Sequence, residues 1–169
     1  MKHITKVFAL AIVAIGFSTQ VNAQATASAS ASATIVTPIS ITKTVDLNFG
    51  NVGASGVAGT VVISPAGVRS TTGGVSLPAT AGTVAAASFD VAGEANYTYA
   101  ITLPASVTIS SGANNMTVNA FTSTPSATGT LSALGAQTVT VGATLNVGVS
   151  QASGVYTSGT PFDVTVNYN

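Results

Sequence analysis

At the carboxyl end of the chain, Phe162, Val164, Val166 and Tyr168 alternate with Asp163, Thr165, Asn167 and Asn169. Successive side chains of a strand point to opposite faces, so this pattern predicts a half-buried β-strand over 161–168. Such a strand cannot fray without exposing its apolar face. The C-terminus is therefore expected to belong to the core, with Tyr168 continuing the face of Phe162, Val164 and Val166.

The same period recurs upstream. Ile35, Ile39, Ile41, Val45, Leu47 and Phe49 occupy odd positions, while Ser40, Thr42, Thr44, Asp46 and Asn48 fill even ones. Thr37 and Lys43 interrupt the apolar face. Strands usually run five or six residues, so the pattern predicts two strands separated near Lys43. Pro38 cannot donate to a ladder and marks an edge. Further strands are expected at 59–64, 67–71, 74–77, 87–92, 96–103, 106–110, 116–121, 130–134 and 137–149, the last with a bulge or bend at Gly142. Turns are expected at 65–67, 73–74, 114–115 and 158–159. No window has capped helical periodicity. The expected fold is all-β, a single sandwich of immunoglobulin-like or Greek-key type over 34–169.

Ahead of the domain, residues 1–23 read as a signal peptide. Lys2 and Lys6 precede an apolar run from Val7 to Phe17, and Val21-Asn22-Ala23 forms a small-residue cleavage site. That run is about eleven residues, short of the ~20 a membrane-spanning helix needs. No retained transmembrane segment is expected, and the exported chain is expected to start at Gln24. Residues 24–33, QATASASASA, read as a flexible leader, since alternating small residues offer no apolar face.

Past the signal, two basic residues (Lys43, Arg69) stand against four acids (Asp46, Asp90, Glu94, Asp163), a net charge of −2. Nucleic-acid binding needs clustered Lys and Arg, which this chain lacks. The chain has no cysteine, so the fold must hold without a disulfide. Its single histidine, His3, leaves with the signal. Nucleophilic catalysis needs a nucleophile beside a base, and Lys43 is the one amine that could serve. Asp90 and Glu94 are the closest acids, too few for a calcium cage that wants six to eight oxygens unless carbonyls supplement them. Solvated turn acids are the better reading. Tyr156, in a Gly- and Ser-rich stretch, is the best exposed-aromatic candidate. Neither enzyme activity nor a metal or other cofactor is expected.

Three stretches, GTVVISPAGVRSTTGGV at 59–75, FDVAGEANYTYAITLP at 89–104 and LNVGVSQASGVYTSGTPFDVTVNY at 145–168, together resemble the secreted bacterial family known as domain of unknown function 4402. The resemblance spans roughly 35–169. It implies a pilin-like β-sandwich, some of whose members look like subunits handled by a periplasmic chaperone and an outer-membrane usher. It supplies no catalytic residues, and the chain lacks the disulfide of type 1-like pilins. The resulting expectation is an exported structural subunit of a surface fibre or pilus-like assembly. Its partners are other copies of itself, with a chaperone and an outer-membrane assembly protein. Residues 34–42 could act as a donor strand in trans or as the first strand of their own domain, and the sequence leaves both open. Expected subunit contacts are Ile35, Ile39, Ile41, Phe162, Val164, Val166 and Tyr168. The alternative is a monomeric secreted adhesin or ligand-binding module.

Overall fold

The computed structural model describes residues 24–169, so the expected signal peptide lies outside the described residues. Residues 24–34 are exposed and belong to no strand. The compact body that follows, Ile35–Asn169, is an all-β sandwich of two sheets with no helix among the described residues.

The larger sheet contains β1 (Ser40–Val45), β2 (Gly59–Ile63), β3 (Arg69–Gly73), β4 (Ala87–Ala92), β6 (Ser106–Ser111), β7 (Asn114–Thr124), β9 (Ala136–Val147) and β10 (Thr157–Ser158). The smaller sheet has β5 (Thr98–Thr102), β8 (Thr128–Thr130) and β11 (Thr165–Tyr168) in the order β11-β5-β8. The larger runs β1-β4-β9-β7-β6-β10, with the β2–β3 hairpin attached to β9.

Strand β9 organises the larger sheet. One edge pairs with β7, while the other is shared between β4, along Ala136–Val141, and β2, along Ala143–Val147. Gly142 sits at the change of partner. A β-carbon there would lie inside contact distance of the Ile63 carbonyl oxygen and 2.6 Å from the Ser64 carbonyl carbon. Glycine is what lets the end of β2 cross β9 so closely. The irregularity expected at Gly142 falls on its neighbour instead: β7 bulges between Asn119 and Thr122, with Ala120 at a φ of 47°.

The odd residues of β9 share one face and feed two hydrophobic clusters. Val139 and Val141 join Phe89, Val91, Tyr99, Ile101, Leu131, Val164 and Val166 in the first, between the two sheets. Ala143, Leu145 and Val147 join Phe49, Val61, Ile63, Val75 and Val118 in the second. The smaller sheet covers only the first cluster. Over the second lies an irregular segment, residues 47–53, tied to 76–85 by isolated bridges at Asn48–Ala85 and Gly53–Ser76.

Several expected boundaries move. The two strands expected either side of Lys43 are one: β1 runs through Lys43 and bulges before Val45, so Lys43 opposes Phe89 and Val45 opposes Ser88. The bulge absorbs the interruption and turns Val45 outward, 43% exposed. The terminal strand is shorter than 161–168, beginning at Thr165, yet the alternation of buried and exposed side chains persists back to Phe162. The expected strand at 74–77 is reduced to the single bridge at Ser76. The turn expected at 114–115 lies at Gly112-Ala113, because Ser111 and Asn114 are already paired.

Candidate functional site

Two features stand out. The first joins the ends of the sandwich domain. Strand β11 places Tyr168 opposite Tyr99, with its ring against the edge of Tyr97 at 5.6 Å. The Tyr168 hydroxyl accepts from the Glu94 amide at 2.6 Å and donates to the Thr37 carbonyl at 2.7 Å. The Thr37 amide in turn donates to Glu94 Oε2 at 2.8 Å. These three bonds form a closed clasp. Hydrogen bonding from Thr37 holds the Glu94 carboxyl below the usual carboxylate range. Gly93 is required for it, because a β-carbon at that position would overlap the Tyr168 hydroxyl.

The second feature is a groove of about 1000 Å³ over the half of the large sheet that lacks a covering sheet. Its floor is Val107 and Ile109 of β6, Met116 and Val118 of β7, and Leu145 and Val147 of β9. Residues 45–54 make one wall, and 151–158 with Pro161 and Phe162 the other. The lining has two charged side chains, Lys43 and Asp46, which neutralise each other through a 2.6 Å contact. In the first wall, Asn48 and Gly53 pair with Ala85 and Ser76. The amides of Leu47, Phe49 and Val52 have no hydrogen-bond partner among the described residues. An apolar floor beside unpaired backbone donors can accept an extended peptide as an added strand.

Six of the seven expected contact residues come together. Val164 and Val166 are in the first cluster, and Ile39, Ile41, Phe162 and Tyr168 pack against it. Phe162 stacks edge-on to Phe89 at 6.5 Å and also lines the groove. Ile35 is apart from them, 97% exposed. In the single chain Ser40–Thr42 pair with Ala92–Asp90, so this part of 34–42 is the first strand of its own sheet.

The remaining candidates are engaged elsewhere. Asp90 accepts from the Thr138 hydroxyl, and Glu94 belongs to the clasp. Among the described residues no three His, Cys, Asp or Glu side chains gather as metal ligands would. Lys43 is held by Asp46, and Arg69 donates to the carbonyls of Phe49 and Asn51. Tyr156, read as the best exposed aromatic, is half-buried in the groove wall. Its hydroxyl donates to the Ala152 carbonyl and accepts from Gln151. Sequence reasoning did not find the groove floor or Thr37 of the clasp.

The architecture defines a cysteine-free, all-β sandwich domain whose core is covered over one half by a second sheet and over the other by the irregular segment 47–53. The chain belongs to the family described as Domain of unknown function (DUF4402), whose model matches residues 39–168. No curated protein and no solved structure matches it.

Proposed function

We propose that the chain is an exported, non-catalytic structural subunit of a bacterial surface fibre, assembled by strand addition between copies. The observation that carries this reading is the groove beside residues 45–54, based on the half-buried Val107, Ile109 and Met116 and flanked by backbone amides without partners among the described residues. Backbone donors left free beside half-buried apolar side chains are what an added strand would use. Family membership and the expected signal peptide fit an exported subunit. A periplasmic chaperone that shields the groove before assembly, and an outer-membrane assembly protein, are the partners this route requires.

Immunogold electron microscopy of the native cells, with antibody to this chain, tests the reading. The expected result is gold along filaments at the cell surface. Label confined to the cytoplasm, or spread over a smooth surface while the released chain sediments as a monomer, would overturn it. The second of those outcomes would favour a monomeric binding module.

A further inference from the structure

Charge is scarce along this chain, and between Asp90 and Asp163 the one charged residue is Glu94. Two places after it stands Asn96, and two places further Thr98, in the run Glu94-Ala95-Asn96-Tyr97-Thr98. Asparagine, any residue but proline, then serine or threonine is the acceptor sequence for N-linked glycans. The chain has a second such triplet, Asn115-Met116-Thr117, with Ala113 where the first has its acid. In a chain this rich in serine and threonine the triplet alone says little. The surroundings of each asparagine separate them.

Asn96 lies in the turn between β4 and β5 and belongs to neither strand. It is exposed, at a φ of 63°, a left-handed conformation that asparagine tolerates. Its backbone amide donates to the Ser132 carbonyl, but its side-chain amide has no hydrogen-bond partner among the described residues. Thr98 opens β5 opposite Thr130, on the exposed face of the strand. A glycan on Asn96 therefore leaves into solvent and displaces nothing in the core. The neighbouring turn, Ser132–Gly135, is bonded to Gly93 and Asn96 and carries Leu134, 93% exposed. With the half-exposed Tyr97 it offers apolar surface to the C–H face of a first sugar ring. Asn115 has a different setting. It is paired with Ser110 in the β6–β7 ladder, and no acid precedes it.

We infer that Asn96 is an N-glycosylation site, modified in preference to Asn115 with an oligosaccharide drawn from a lipid diphosphate donor. Asn96 Nδ2 bonds to the anomeric carbon of the first sugar, and the bond from that carbon to the diphosphate oxygen breaks. The lipid diphosphate leaves with the electron pair, and the amide nitrogen gives up one proton. A transferase that works on a diphosphate holds positive charge around it, and Glu94, two residues from the acceptor, is drawn to that charge. In the folded chain Glu94 is bonded to Thr37 and Tyr168, and Thr98 is in its ladder. Transfer therefore precedes closure of the clasp, and folding then leaves the glycan outside. The inference rests on the reading of the chain as exported, because donor and transferase meet it at the membrane it crosses.

The test uses the full chain with its own first 23 residues, expressed in the native cells and recovered with antibody from outside the cytoplasmic membrane. Intact mass, and fragmentation that leaves glycans attached, should show an added oligosaccharide on Asn96 and none on Asn115. Asn96→Gly suits the left-handed turn, and Thr98→Val keeps a β-branched side chain in the strand. Each should abolish the added mass while circular dichroism stays as in wild type. Thr98→Ser should keep it. Glu94→Gln retains an oxygen for the Thr37 amide without the charge, and should lower the modified fraction several-fold. Exported chain with no added mass on Asn96 overturns the inference and leaves the fibre reading standing. So does a glycan on Asn115 alone, or one on Asn96 that survives Thr98→Val. Chain found only in the cytoplasm, with residues 1–23 still attached, removes export and takes the inference and the fibre reading with it.

Discussion

Gly142→Val is expected to leave little folded protein. The position lies in mid-β9, where β4 gives way to β2 and the chain from Ile63 to Pro65 crosses. A β-carbon there would overlap the Ile63 carbonyl oxygen and approach the Ser64 carbonyl carbon to 2.6 Å and the Pro65 nitrogen to 2.8 Å. All three are backbone atoms, so no side chain can swing aside. Overpacking a core costs about 1–3 kcal/mol when side chains can adjust. Displacing backbone should put Gly142→Val at or above the top of that range, a large share of the ~5–15 kcal/mol by which domains are stable. Gly142→Ala should fall between it and wild type. Urea unfolding followed by circular dichroism reads this order, and a valine variant with an unchanged midpoint would show the crossing to be loose.

Tyr168 should give the next largest loss, divided between two substitutions. Tyr168→Phe keeps the ring against Tyr97 and removes the hydroxyl that bonds Glu94 and Thr37. Each bond contributes about 1 kcal/mol net, so a loss of about 1–2 kcal/mol is expected. Tyr168→Ala also removes the aromatic contact and the half-buried surface packed on the first cluster. Full burial would make the loss ~3–5 kcal/mol, and half-burial places it near the lower end, about 3 kcal/mol. The order wild type, Phe, Ala in thermal unfolding is the check. Equal stability in all three would remove the C-terminus from the core.

The sequence made the fold legible wherever one strand face meets apolar neighbours and the other meets water. β4, β5, β9 and the terminal segment show that alternation, and their buried residues follow it. Where the reading slipped, the cause was a change of phase or of partner. Lys43 looked like a break because a charge sits on the apolar face, but a bulge and the contact with Asp46 let the strand continue. Ile35 shares the phase of Ile39 and Ile41, yet it lies five residues ahead of the ladder that begins at Ser40, so at Ile35 the phase carries no burial. The clasp was hidden for another reason. It joins residues 57 and 131 positions apart, and Thr37 carries no local signal of such a role. Alternation says that one face is shielded and is silent on what shields it. For that reason Val107, Ile109 and Met116 read as ordinary half-buried strand residues, although part of what they face is an open groove.

Hydrogen exchange across residues 45–54, compared between dilute monomer and assembled material, tests most directly whether the sandwich is completed by a strand from another copy. In the monomer the amides of Leu47, Phe49 and Val52 have no partner among the described residues and should exchange quickly, while β9 stays protected. On assembly those three should slow markedly as ladder bonds form between copies. Assembled material in which all of them exchange as fast as in the monomer would contradict strand addition at this groove.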